Sequence, residues 1–483
     1  MSNFLSNMIK LSSSTLTGQV IGLLVTPILA RIYTPADFGI FQLFVSIVAL
    51  IAPISCFSYF YAILLPEKEE DSANITVLCI FLIALVSCIT TAVFFIFSGN
   101  IESSLNAPGF SRYLPLLPLA ILFSGCSYVF GHWASKKEEF GIIAKANVLS
   151  SCTGKGFSIG SGLFSPTPFG LILGTIINDA TIVIILLKRS MTDFTLFYNT
   201  SYQKIIDMVR RYKKFPQYSM GADLAGNAAV QIIPFILAFM FSPVIVGYYS
   251  MAYLILRLPS KLIGNSIGTV FFQQASAERK LTGGVKNVVK TVHRRLISFG
   301  IFICLIMMIA GPEMFSFVLG PQWTTAGIYA QIFAPWFFVA FISIPLAYIY
   351  SVLEKQSVSL WFSLLLFTSS VVVLIIGGSM DNPLLSMVML SATGTLLWGW
   401  MNMYSLKIAG LSGMEAGYEI LRYLLIGLVV CLPVLIAKFL LFQEVSIIVI
   451  TGIVSLTYYM IIIYQDVNLR DGLSKIARSL VRK

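Results

Sequence analysis

Charge is scarce in this chain. Of 483 residues, only 11% are Asp, Glu, Lys or Arg, while 57% are hydrophobic and the mean hydropathy is +0.87. A soluble domain carries about 25% charged residues. So low a charge content excludes a water-soluble enzyme, and so much apolar content excludes a disordered chain. Histidine is rarer still, with His132 and His293 the whole complement; there is no H-E-x-x-H pattern, which removes the commonest histidine-built metal site. The seven cysteines, Cys56, Cys79, Cys88, Cys126, Cys152, Cys304 and Cys431, all sit inside apolar runs and form no C-x-x-C pair. They read as small buried hydrophobes rather than a disulfide scaffold. A nucleotide-binding loop is also missing. Gly154-Lys155-Gly156 has no glycine five residues before it and no Ser or Thr after the lysine, which argues against a pump driven directly by ATP.

What is abundant is membrane-length apolar sequence. Runs bounded by charge or by Pro/Gly clusters fall at 11–33, 38–65, 74–98, 113–134, 142–164, 168–188, 217–241, 246–272, 296–319, 324–350, 357–379, 384–406, 420–442 and 445–465. At about 20 residues per crossing, these predict an all-α polytopic membrane protein of about 14 transmembrane helices. Sidedness follows from the basic residues. With the first connection outside, 25 of the 32 Lys and Arg fall in cytoplasmic segments and three, Arg31, Arg112 and Lys438, fall opposite. Both termini are therefore expected in the cytoplasm, and the net charge of +11 reflects topology rather than nucleic-acid binding. The interval 189–216 carries Tyr202, Ile205, Ile206, Val209 and Tyr212 at helical spacing beside Arg210, Arg211, Lys213 and Lys214, the pattern of a basic amphipathic helix on an anionic membrane surface. Trp133, Trp323, Trp361, Trp398 and Trp400 lie toward run ends and read as interface anchors. The pairs Gly18/Gly22, Gly156/Gly160, Gly170/Gly174 and Gly264/Gly268 have the spacing of close helix contacts.

An internal repeat is also visible. Thr34-Pro35-Ala36-Asp37-Phe38-Gly39-Ile40-Phe41 joins the first two runs, and Ser242-Pro243-Val244-Ile245-Val246-Gly247-Tyr248-Tyr249 joins the seventh and eighth. Hydroxyl, proline, glycine and aromatic coincide at an offset of 208; Pro27 and Pro234 repeat at 207, and Pro118 and Pro335 at 217. The repeat predicts an N-lobe over 1–188 with helices one to six, a basic cytoplasmic linker over 189–216 and a C-lobe over 217–406 with helices seven to twelve. Residues 407–483 hold the last two helices and a basic cytoplasmic tail. Six helices is an even number, so the repeat is parallel, and such bundles hold substrate between lobes that rock. Pro27, Pro53, Pro234, Pro259, Pro335, Pro345 and Pro433 interrupt the helical ladder and supply kinks.

An ionised side chain at the centre of a spanning helix costs about 2.5–3.5 kcal/mol, so each deep charge needs a reason. Arg257 lies near the middle of the eighth run, with Lys261 one turn on and Tyr253 and Asn265 extending the stripe. Lys155 is deep in the fifth run, Asp179 follows Asn178 in the sixth, and Asp223, Asn227 and Gln231 form an i, i+4, i+8 line in the seventh. Thr15, Gln19 and Thr26 make a milder stripe in the first. One reading is a wet cavity whose cations hold an anionic substrate; a planar guanidinium and a mobile ammonium one turn apart suit a diphosphate. The other is internal pairing, Asp223 with Arg257 or Lys155 with Asp179, that only folds the bundle. Asp179 and Asp223 are also candidates for coupling to a proton or sodium gradient. No other cofactor is expected.

Several stretches resemble the polysaccharide-specific, Wzx-type O-antigen flippases of the multidrug/oligosaccharidyl-lipid/polysaccharide exporter superfamily. They are Leu29-Ala30-Arg31-Ile32-Tyr33-Thr34-Pro35 through Phe38-Gly39-Ile40, Tyr212-Lys213-Lys214-Phe215-Pro216, Gly247-Tyr248-Tyr249-Ser250-Met251-Ala252, Pro259 with Ser266-Ile267-Gly268-Thr269-Val270, and Leu319-Gly320-Pro321-Gln322-Trp323. The resemblance covers essentially the whole chain. It implies a non-enzymatic transporter in the bacterial inner membrane that moves an undecaprenyl-diphosphate-linked oligosaccharide, an O-antigen or capsule repeat unit, from the cytoplasmic to the periplasmic leaflet. It implies the lipid bilayer, and a polysaccharide polymerase and chain-length regulator, as partners, and places the last two helices outside the lobes. Relatives often carry an arginine five residues before the proline of the eighth helix; here that position is Leu254, and Arg257 follows one turn later. Substrate contacts are thus expected at Arg257, Lys261, Lys155, Arg31, Asn227 and Gln231.

Two other classes are weighed against this. An organic-cation antiporter of the same superfamily would line its cavity with acids, yet the deep cations Lys145, Lys155, Arg257 and Lys261 outnumber the deep acids Asp179 and Asp223. A membrane polysaccharide polymerase would display a large outer loop bearing basic catalytic residues, and the longest outer connection here is 99–112. The sidedness is checked with reporter fusions: alkaline phosphatase joined after residue 106 is expected to be active and after residue 206 inactive, and the reverse would invert the topology.

Overall fold

The computed structural model describes residues 18–465 apart from 199, 354, 441 and 442; Lys10, Thr15 and the basic tail after 465 lie outside the described residues. Helices account for nearly all of it, in chain order α1 (Gly18–Ile32), α2 (Pro35–Ile51), α3 (Glu69–Ser104), α4 (Leu117–Lys136), α5 (Phe140–Phe164), α6 (Pro168–Ser190), the short α7 (Phe194–Tyr198) and α8 (Tyr202–Arg211). They continue with α9 (Met220–Met240), α10 (Pro243–Pro259), α11 (Asn265–Thr282), α12 (Lys286–Leu319), α13 (Thr324–Ser343), the single turn α14 (Ile349–Val352), α15 (Gln356–Ser379), α16 (Pro383–Ile408), α17 (Gly413–Phe439) and α18 (Glu444–Gln465). No strand occurs among the described residues, and the expected all-α polytopic class holds.

The described parts of the apolar runs are largely helical, but they do not make fourteen equal crossings. Among the described residues, ten segments are long and apolar enough to span a bilayer, and α1 and α2 are shorter apolar helices. The runs 142–164 and 246–272 fall short for different reasons. In α5, Lys145, Lys155 and many Ser and Gly lower the hydropathy. The eighth run is divided, α10 giving way after Pro259 to a wide π-type turn over Ser260–Gly264 before α11 begins. Here the missing amide of a helix-interior proline disrupts the ladder. The second run breaks in the same way: α2 stops at Ile51, two residues before Pro53, and a 3₁₀ stretch over Tyr59–Leu64 replaces the expected helix. A further kink, not among those expected, lies in α12 beside Pro312, with Ala310 at φ −121°, ψ 19°.

The chain forms two compact units, one comprising Met1–Ser250 with Leu374–Pro383, the other Met251–Val373 with Leu384–Lys483. In the first, a core of Phe60, Ile63, Ile75, Ile83, Val129 and Trp133 gathers α3, α4 and the 3₁₀ stretch. Met208 of α8 joins it, so the apolar face of that basic helix meets protein; Lys204 pairs with Glu70 at 2.8 Å. The α5–α6 contact is close because glycine is available on both sides. A β-carbon on Gly154 would meet the Gly174 carbonyl, and one on Gly162 or Gly170 the ring of Tyr33, whose hydroxyl donates to the Ser158 carbonyl at 2.7 Å. Of the glycine pairs expected at interfaces, Gly170, Gly174 and Gly268 are in tight contact, whereas Gly22, Gly156 and Gly160 have nothing within 4 Å; spacing alone does not say which face meets a neighbour. In the second unit, α17 and α18 pack on α12, with Tyr458 stacked on Phe302 at 4.3 Å and donating to the Ser298 carbonyl at 2.8 Å. Trp361 and Trp400 are well exposed, as interface anchors would be, but Trp133 and Trp323 are buried in the cores, a correction to their reading as anchors. Five of the seven cysteines are buried; Cys88 and Cys152 are exposed.

The repeat acquires a physical meaning in the first unit. Thr34 and Ser242 each precede a helix that starts with proline, and the glycine lies four residues further on in both. Thr34 closes a capping box with Asp37, which offsets the unsatisfied amides of the first turn. A β-carbon on Gly39 would overlap the Pro243 carbonyl, and a β-carbon on Gly247 would overlap the Pro35 carbonyl. The two copies of the motif therefore meet reciprocally, each glycine receiving the backbone of the other's first turn. Overpacking a close contact costs about 1–3 kcal/mol. Gly39→Ala and Gly247→Ala are each expected to lower the thermal unfolding temperature of the purified protein, and the double variant to lose less than the sum; unchanged melting would contradict the contact.

Candidate functional site

The polar residues singled out from the sequence fall into a line on α9, a pair on α10 and its π-type turn, and single positions on α1, α5 and α6. On α9, Gln231 faces α2 and Asp223 faces the turn and 3₁₀ stretch between α2 and α3. Ser46 of α2 donates to Gln231 Oε1 at 2.9 Å and accepts from Gln42 Nε2 at 3.1 Å. Ser58 donates to Asp223 Oδ2 at 2.8 Å, and the Tyr61 hydroxyl reaches Asp223 Oδ1 at 3.4 Å. Asn227, midway along the line, is half-buried.

The segment that serves Asp223 carries backbone strain. Phe57 and Ser58 adopt φ of 52° and 58°, a region costing about 1–3 kcal/mol for a non-glycine residue. Pro53 stops α2, the chain turns through these two residues, and Ser58, itself buried, delivers its hydroxyl to the carboxylate. Asp179 of α6 lies near Ser124 and Tyr128 of α4. Lys155 is half-buried on α5, and Arg31 is exposed at the end of α1.

In the second unit, Arg257 is exposed near the end of α10 and Lys261 is exposed within the π-type turn beyond it. Arg257 Nη1 donates to the Tyr253 hydroxyl at 3.0 Å, and its guanidinium lies 5.5 Å from that ring's centre. Tyr253 is braced edge-on by Phe337 of α13 at 5.4 Å. Tyr253 and Arg257 therefore share a face of α10, and Lys261 follows in the π-type turn; the side chain of Asn265 lies outside the described residues. The tyrosine engages one of the five N–H groups that an arginine carries.

Three features had not been expected from the sequence. Gln42, Ser46, Ser58 and Tyr61 engage the α9 line, and their signal was present as hydroxyl and amide residues in an otherwise apolar run. The approach of Ser124 to Asp179 had no local signal. A cavity of about 410 Å³ opens in the second unit at the N-terminal turn of α17, lined by Lys290, His293, Arg294, Glu415 and Glu419 among others. Its charges are matched in pairs, Lys290 with Glu415 at 3.2 Å and Arg294 with Glu419 at 3.7 Å. Among the described residues no group of three or more His, Cys, Asp or Glu could hold a metal ion.

Comparison with known proteins is consistent with this architecture. Residues 28–327 match the family described as polysaccharide biosynthesis protein. No curated protein matches. Among solved structures, the lipid II flippase MurJ in an inward closed conformation is similar over 95% of this chain and 99% of its own, with a TM-score of 0.72 at 14% identity. A multidrug resistance MATE-family transporter of the MOP superfamily, in an inward-facing conformation, is similar over 83% of this chain and 94% of its own, with a TM-score of 0.55 at 12% identity. A MOP-superfamily transporter from Pyrococcus furiosus, described as having a binding pocket of reverse polarity, is similar over 84% and 95%, with a TM-score of 0.52 at 11% identity. At these identities the likeness is one of fold.

The bond between Ser46 and Gln231 joins α2 to α9 in a largely apolar setting, where a hydrogen bond contributes about 0.5–1.5 kcal/mol net. A double-mutant cycle with Ser46→Ala and Gln231→Leu is expected to give a coupling energy of that size by thermal or chemical unfolding; additive losses would show that the two side chains do not act together.

Proposed function

The chain belongs to the polysaccharide biosynthesis protein family, and from that premise we propose that it is a secondary transporter that flips an undecaprenyl-diphosphate-linked oligosaccharide from the cytoplasmic to the periplasmic leaflet of the bacterial inner membrane by alternating access. The observation that carries this reading is the exposed cation pair Arg257 and Lys261, one turn apart across the end of α10 and its π-type turn, with Arg257 Nη1 donating to the Tyr253 hydroxyl. Two fixed positive charges at depth are costly without an anionic guest, and a fork beside a point charge fits the two phosphates of a lipid diphosphate. Lys155 and Arg31 add positive potential along the first unit. Asn227 and Gln231 offer amides to sugar hydroxyls, and the polyprenyl tail stays in lipid, where it needs no protein partner. Asp179 and Asp223 are the candidates for coupling to a proton or sodium gradient. MurJ, similar in fold, is a lipid II flippase, which supports a lipid-linked substrate here. A polysaccharide polymerase and a chain-length regulator would receive the flipped unit, and both termini of this chain would stay cytoplasmic.

An organic-cation antiporter is disfavoured by the same pair, because a cationic guest would be repelled by Arg257 and Lys261 at close range. Arg257→Ala and Lys261→Ala are each expected to reduce surface polysaccharide at least tenfold in a strain lacking the native copy, with membrane protein level unchanged; Arg257→Lys should retain part of it. Wild-type polysaccharide from both alanine variants would remove the pair from the site.

A further inference from the structure

We propose that an aromatic and carboxylate face in the first unit, formed by Tyr61, Tyr128, His132, Phe215 and Asp223, binds a pyranose ring of the sugar portion; this rests on the reading of the substrate as a lipid-linked oligosaccharide. Phe60 is the buried hub of the face. Its ring lies 4.2 Å from Tyr61, 5.8 Å from Tyr128 with the planes stacked, and 4.9 Å from His132 edge-on. Tyr61 in turn stacks on Phe215 at 6.4 Å with an interplanar angle of 24°. Two outer members reach the surface, Tyr61 at 40% and Tyr128 at 41% exposed, while His132 and Phe215 are half-buried. Rings recruited only to fill a core would be buried as Phe60 is, at 4%.

Asp223 gives the face its polarity. One carboxylate oxygen accepts from Ser58 and the other is within reach of Tyr61. Each oxygen has two acceptor sites, so capacity remains on both for hydroxyl donors of a guest. The strained turn at Phe57 and Ser58 is what brings the serine to Asp223 and starts the 3₁₀ stretch that carries Phe60 and Tyr61. Irregular backbone in a membrane protein is tolerated where protein buries it or where it lines a wet cavity, and strain of this kind concentrates at ligand sites.

A pyranose matches both features at once. Its axial C–H bonds present a weakly positive apolar face that sits over the negative face of an aromatic ring. Its neighbouring hydroxyls donate to a carboxylate, a charge-assisted bond about twice as strong as a neutral one. A diphosphate would be repelled by Asp223, and a polyprenyl chain has no donor to offer it. An organic cation could also lie against rings and a carboxylate, but the donors already on Asp223 are neutral hydroxyls, the kind of group a sugar presents.

The test is equilibrium binding to the full-length protein in lipid nanodiscs. The probes are the polyprenyl-diphosphate oligosaccharide extracted from the producing strain, undecaprenyl diphosphate without sugar, and tetraphenylphosphonium. Tyr61→Leu and Tyr128→Leu are expected to weaken the glycosylated lipid about tenfold and leave the bare lipid unchanged, while Tyr61→Phe, which keeps the ring, retains most of the affinity. Should the leucine variants fail to fold, Asp223→Asn preserves size and is expected to weaken only the glycosylated lipid. Equal affinity of wild type and folded variants for the glycosylated lipid overturns the inference, as does tighter binding of tetraphenylphosphonium than of the lipid. Wild type that binds both lipids equally well overturns the sugar face and leaves the flippase reading standing. Wild type that binds neither overturns both.

Discussion

A hydrocarbon interior offers no hydrogen bonds, and that constraint decides which polar residues this chain can carry and where. Most of the polar side chains in the spanning helices are serines and threonines that return their hydroxyl to a carbonyl four residues back, as Thr26, Thr90, Ser250 and Thr451 do. They are satisfied locally and ask nothing of function. The exceptions reach across between helices. Ser46 with Gln231 and Ser58 with Asp223 reach α9 from other segments, and Arg257 donates to a tyrosine.

The reciprocal fit of Gly39 with Pro243 and of Gly247 with Pro35 shows how a repeat in sequence becomes a contact in space. Proline sets the first turn of each helix and cannot donate there, and the glycine one turn later leaves room for the other copy's backbone. Two residues that look like ordinary turn and packing signals in isolation act as one surface when the copies meet. That geometry is why the hydroxyl, proline and glycine recur at a fixed offset while the intervening residues do not.

Much of the architecture was legible because membrane helices announce themselves by length and hydropathy. Most of the described residues of the apolar runs are helical, and the contact of Arg257 with Tyr253 follows the i, i+4 spacing visible in the sequence. What was hidden came from tertiary context. Proline at 53 signalled a kink, but not that the helix would stop and give way to strained residues that carry Ser58 to Asp223. The glycine spacing at 156 and 160 was as good as that at 170 and 174, yet only the latter found a neighbour. Trp133 and Trp323 sit where anchors usually sit but are covered by other helices. The approach of Asp179 to Ser124 depends on how α4 meets α6, which no local pattern encodes.

The central claim, movement of a lipid-linked oligosaccharide between leaflets, is tested most directly in proteoliposomes containing only the purified chain. With a fluorescent polyprenyl-diphosphate oligosaccharide in the outer leaflet, its protection from a membrane-impermeant quencher is followed over time. Protein-dependent loss of quencher access, faster than in empty vesicles, is the predicted result. Quenching that matches empty vesicles with correctly inserted, folded protein, with or without an imposed proton or sodium gradient, would contradict the account.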